Sequence, residues 1–138
     1  MANGYASFSC FLPLAPEQTA YATELLLQME NYNSDDPEPN IRDLVADTEC
    51  VEFAHKPQKD GYWFYTEGSG DPEQLALFIQ HLIEYFNLPP FGFDWSYSCS
   101  KPRTDEFGGG AVWITKEGFE WLSTKCWLYE HRTNETPQ

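Results

Sequence analysis

Hydrophobic and polar positions alternate from the start of the chain. In YASFSCFL, Phe8, Cys10 and Leu12 fall on one side and Ser7 and Ser9 on the other, which predicts a strand with one buried face. The period then changes. Pro16 suits a first helical position, Glu17 the positive helix end, and Tyr21, Ala22, Leu25, Leu26 and Met29 recur at helical spacing, predicting a helix over 16–31. NYNSDDPEPN ends it with turn-forming residues and two prolines. CVEFAH and YWFYTE read as two strands joined through KPQKDG, whose Asp60-Gly61 is a hairpin signal. A second helix follows, with Asp71 as N-cap, Pro72 as first residue and Gln74 as the return partner of a capping box. Leu75, Phe78, Ile79, Leu82, Ile83 and Phe86 form its apolar stripe, and NLPP stops it.

The last third returns to alternation. FGFDWSYSC places Phe91, Phe93, Trp95, Tyr97 and Cys99 on one face, with Gly92, Asp94, Ser96 and Ser98 on the other. AVWIT is a further strand, KEG turns the chain into a short element at FEWL, and STKCWLYEHR suits a closing helix capped by Ser123. The order β-α-β-β-α-β-β, about five strands, predicts an α+β two-layer sandwich. Two helices would cover one face of a mainly antiparallel sheet, with a short helical or extended C-terminal segment. One domain over 1–132 and a frayed tail over 133–138 are expected, without repeats.

Charge changes the picture most. Of 138 residues, 8 are Lys or Arg and 22 are Asp or Glu, a net charge of −14. Residues 1–70 hold twelve acids and three bases and 71–138 ten acids and five bases, so acidity runs through both halves. Direct phosphate binding needs a basic face, so nucleic acid is excluded as a direct partner, and an anionic membrane surface is disfavoured alike. A basic protein surface is the expected partner. The hydrophobic fraction of 41%, with 17% aromatic, fits a compact fold rather than disorder. No run is long enough to span a bilayer, and the N-terminal stretch lacks a basic region, so the expected compartment is cytoplasmic, with the four cysteines reduced.

Candidate chemistry is sparse. Cys10, Cys50, Cys99 and Cys126 form no CxxC pair, and His55, His81 and His131 never share a ligand spacing, so no metal or cofactor is expected. Cys99, near Lys101 and Arg103, could serve as a nucleophile only with a depressed pKa and a base. Asp105 stands where a cysteine phosphatase would need its arginine. Gly108, Gly109 and Gly110 precede a predicted strand rather than a helix. They therefore suit positive φ, a bulge or close packing better than phosphate binding. His81 falls on the polar side of its helix and reads as exposed. Tyr62–Tyr65 are four consecutive aromatics, so one face of their strand is core and the other is either exposed or covered by the C-terminal segment.

Cys99–Thr115, CSKPRTDEFGGGAVWIT, resembles small uncharacterised bacterial and phage-borne proteins that carry a CSKPR-x-x-EFGGGA segment. The resemblance implies a mobile-element origin and no catalytic residue. Small acidic proteins of such origin include inhibitors of host defence that mimic nucleic acid. The expected function is accordingly a non-enzymatic acidic inhibitor of a nucleic-acid-binding enzyme or defence complex, of anti-CRISPR or anti-restriction type. Asp35, Asp36, Glu38, Asp43, Asp47, Glu49, Glu52, Asp105 and Glu106 would contact the partner in place of phosphates. The alternatives are an immunity protein that neutralises a basic toxin, and a small enzyme or ligand-binding protein using the Cys99–Gly110 loop.

Overall fold

A computed structural model describes residues 4–32, 44–45, 51–99 and 108–135. The elements run β1 (Gly4–Ser7), β2 (Ser9–Pro13), α1 (Pro16–Glu30), β3 (Ala54–Gln58), β4 (Gly61–Tyr65), α2 (Pro72–Phe86), β5 (Phe91–Cys99), β6 (Gly108–Thr115), β7 (Gly118–Ser123) and α3 (Thr124–Glu135). The α+β sandwich is the expected one, but among the described residues it has seven strands in two antiparallel sheets rather than about five in one. The larger sheet has order β1-β5-β6-β7 and the smaller β2-β4-β3.

The first predicted strand is where the sheets divide. Ser7 pairs with Ser96 of β5, whereas Ser9 pairs with Tyr65 of β4, and Phe8 lies between the two ladders. Its backbone is still satisfied: Phe8 N–H donates to Thr66 Oγ1 at 3.3 Å, and its carbonyl accepts from Thr66 N–H at 3.1 Å. The Phe8 ring meets Phe93 at 5.8 Å, so side-chain burial continues across the break. Alternation reports which way side chains point and is silent about which strand lies alongside.

Helix ends follow local chemistry. Gln18 Oε1 accepts from Ala15 N–H at 2.8 Å at the start of α1, and Asn31 Nδ2 donates to Leu27 O at 3.0 Å at its end. In α2, Asp71 Oδ1 accepts from the N–H groups of Glu73 and Gln74, as an N-cap should. Asn87 takes a left-handed conformation (φ 55°) and Leu88 N–H closes on Ile83 O, which terminates the helix.

Gln74 departs from the expected capping box. Its side chain is buried and reaches away from the cap, accepting from Glu52 N–H at 2.7 Å and donating to Leu44 O at 3.4 Å. Asp71 N–H meanwhile donates to Glu52 O at 2.8 Å. With both Glu52 backbone groups committed to α2, residues 51–53 do not enter the sheet, and β3 starts at Ala54 rather than at Cys50.

One core serves both sheets. Phe53, Tyr62 and Phe64 from the β3–β4 region, Phe78, Ile79 and Leu82 from α2, Leu26 and Met29 from α1, and Val112 and Ile114 from β6 are all buried in it. The four aromatics of β4 divide by alternation. Tyr62 and Phe64 face the core, while Trp63 and Tyr65 stack on the other side at 4.0 Å, with Trp63 Nε1–H donating to Ser9 Oγ at 2.8 Å.

The C-terminal segment becomes a strand followed by a helix. Ser123 Oγ accepts from Cys126 N–H at 3.4 Å, the predicted cap, and the helix continues through Glu135, past the point where a frayed tail was expected.

Candidate interaction surface

Of the nine acids singled out from sequence, Glu52 is described; Asp35, Asp36, Glu38, Asp43, Asp47, Glu49, Asp105 and Glu106 lie outside the described residues, as do Lys101 and Arg103. The Glu52 side chain is exposed while its backbone is held by α2. Leu44 and Val45, within the acidic 35–49 stretch, are helical and buried in the core.

The thiols divide by setting. Cys10 is half-buried on β2; burial, and secondarily the Asp94 charge, push its pKa up to about 12, so it stays protonated near neutrality. Cys126 is exposed on α3. The backbone of Cys99 closes the β1–β5 ladder opposite Gly4. Among the described residues no group of three His, Cys, Asp or Glu side chains is placed to hold a metal ion, and no helix is long and apolar enough to cross a membrane.

His81 is not the exposed residue its helical position suggests. Its Nε2 hydrogen-bonds Tyr21 OH at 2.8 Å, and Tyr21 stacks on Tyr85 at 4.3 Å, so the imidazole is half-buried between α1 and α2. Burial lowers its pKa below the ordinary 6.5, with Glu84 acting in the opposite sense. The folded state therefore prefers neutral His81. That preference stabilises the protein above about pH 6.5 and is lost as pH falls through the lower folded pKa. The expected result is that the Tm advantage of the wild type over His81→Phe shrinks between pH 8 and pH 5. A difference that stays constant or grows on acidification would contradict it. Referring each Tm to the variant removes the background change as the surrounding carboxylates protonate.

The feature that sequence inspection passed over is the outer face of the larger sheet. The register sets Gly92, Trp113 and Glu120 side by side across β5, β6 and β7, and Asp94, Ala111 and Leu122 in the next row. Phe93, Val112 and Ile114 point the other way, into the core. Trp113 lies over Gly92, where an added Cβ would come within 2.7 Å of its ring. The six outer residues line an open groove of about 550 Å³, walled by Trp113 (50% exposed) and Leu122 (49%) and carrying the carboxylates of Asp94 and Glu120. The signal was present in AVWIT. Val112 and Ile114 fix the buried phase, and Trp113 stands out of phase with them.

An indole beside carboxylates in an open groove suits a guanidinium or ammonium group, through cation–π attraction of roughly 0.5–2 kcal/mol and charge pairing. No protein-family model, curated protein or solved structure matches the chain.

Proposed function

We propose that the protein is a non-enzymatic acidic binding protein that occupies a basic, nucleic-acid-binding surface of another protein and so blocks it. The observation that carries this reading is the outer sheet face, where Trp113 and Leu122 flank Asp94 and Glu120 in a chain of net charge −14. Carboxylates on such a chain attract a cationic groove over a Debye length, and the indole and leucine supply short-range contact that charge alone lacks. A mobile-element inhibitor of a defence complex, of anti-CRISPR or anti-restriction type, is the class of protein this combination fits, in keeping with the resemblance at Cys99–Thr115.

The test is capture from host lysate followed by a salt titration. At low ionic strength the protein should retain a basic nucleic-acid-binding complex, and duplex DNA should compete for it. Affinity should fall by about tenfold or more between about 0.05 and 0.3 M salt. Asp94→Asn with Glu120→Gln should weaken capture and flatten that salt response. Trp113→Ala should weaken capture and leave the salt response in place. Retention of no basic partner at low salt, or binding indifferent to salt, would remove the basis of the proposal.

A further inference from the structure

The larger sheet ends at β7, and the chain treats that edge unlike its others. An exposed edge strand offers unpaired backbone groups to any passing strand, and proteins blunt such edges with proline, lysine or short length. β1 has four residues; β3 carries Lys56 and Pro57; β2 ends in Pro13. β7, GFEWLS, has six residues, no proline or lysine, and one charge. All of its positions from Glu120 onward are exposed.

The helix that follows is also exposed to solvent. Every position of α3 from Thr124 through Arg132 is exposed, including Trp127 (47%), Leu128 (44%) and Tyr129 (69%). Cys126, Trp127, Leu128 and Tyr129 are consecutive, so at about 100° per residue they surround most of the helix circumference. One turn of α3 is therefore apolar on most sides, and a helix of about 12 residues is marginal in water without tertiary packing. It contacts β6 and β7 of its own domain, where Thr124 Oγ1 accepts from Gly109 N–H at 3.0 Å.

Charge identifies the occupant. Residues 116–132 carry three Lys or Arg (Lys116, Lys125, Arg132) and three Asp or Glu (Glu117, Glu120, Glu130), while the rest of the chain carries five against nineteen. On a chain of charge −14 this segment, neutral as a whole, is a place where a second copy meets little repulsion. A strand edge paired antiparallel about a two-fold axis is also self-complementary, so one surface suffices for both partners. We propose that the protein forms a two-fold homodimer in which β7 pairs antiparallel with β7 of a second copy, joining the larger sheets into one of eight strands, and α3 of each copy packs across the seam.

The dimer and the complex proposed above respond oppositely to salt, which keeps the two tests apart. Screening strengthens association of two like-charged chains and weakens binding to a basic partner. Sedimentation velocity on the full chain at tens of micromolar should give twice the monomer mass, with the dimer favoured further as salt rises from about 0.05 to about 0.5 M. Trp127→Ser combined with Leu128→Glu should weaken the dimer by about 30-fold or more. Leu27→Glu, an exposed position on α1, should leave it intact. A monomer at both salts, a dimer unaffected by the double variant, or a dimer lost equally on Leu27→Glu would overturn the assignment. Should the double variant lose its far-UV spectrum, amide exchange of the wild type decides. Protection of 118–123 that rises with concentration supports the dimer; protection independent of concentration overturns it.

Discussion

Replacing Phe64 by alanine should cost about 3–5 kcal/mol of folding free energy, lowering Tm by more than about 10 °C. Phe64 sits on β4, the middle strand of the smaller sheet, and is fully buried. Its ring lies 5.3 Å from Tyr62, 5.7 Å from Phe53 and 5.7 Å from Phe78 of α2. The side chain thus joins a sheet, the connection that precedes it and a helix. Truncation leaves a cavity that none of the three can collapse into without moving the others. Leu27→Ala, on an exposed position of α1, should change stability by less than about 1 kcal/mol. Urea denaturation of both variants checks the pair. A Phe64→Ala loss below about 1 kcal/mol would mean that this aromatic cluster is not the structural centre of the molecule. Natural domains have only about 5–15 kcal/mol in hand, so the variant is expected to express poorly as well as melt early.

The sequence carried the elements better than their partners. Both long helices were legible because Pro16, Asp71 and Pro72 mark their starts and the apolar stripes keep one period throughout. The strand from Phe91 to Cys99 was legible because five apolar residues hold one phase. What escaped was long-range. Phe8 lies in phase with Cys10 and Leu12, yet the chain changes sheets there, and strand partners are set by contacts far away in sequence. Gln74 was given the local role its spacing favours, and it instead binds Glu52 and Leu44, which no local pattern announces. His81 was read from helical phase alone, and the Tyr21 hydroxyl that covers it comes from another helix. For the candidate surface, composition carried the acidity. The exposed indole followed only once the register of β5, β6 and β7 set Trp113 beside Gly92 and Glu120.

Gly110→Val should destabilise the protein by about 3 kcal/mol, and the reason decides how the glycine run is understood. Gly110 is buried in β6 between two paired strands. An added Cβ would lie 2.5 Å from Trp95 Cζ2 on one side and 2.7 Å from the Leu122 carbonyl oxygen on the other. The indole could swing only by disturbing its contacts with Phe93 and Trp121, at 5.9 and 6.0 Å. The carbonyl belongs to the ladder that holds β7, so it cannot yield without loosening that strand. Gly68 offers the contrast. It has φ 118° with open space around it, so Gly68→Ala carries conformational strain alone, about 1 kcal/mol. Thermal melts followed by tryptophan fluorescence separate the two, because Gly110→Val should shift the Trp95 signal in the folded state and Gly68→Ala should not. Equal costs would mean that crowding at Gly110 is no costlier than the strain of a positive φ, which within the run Gly108 adopts at 148°. The expected inequality makes Gly110 a packing site instead: a position kept bare so that Trp95 can lie across β6 while β7 stays paired. The same bareness is what brings β7, and with it the Leu122 wall of the groove and the free sheet edge, into place.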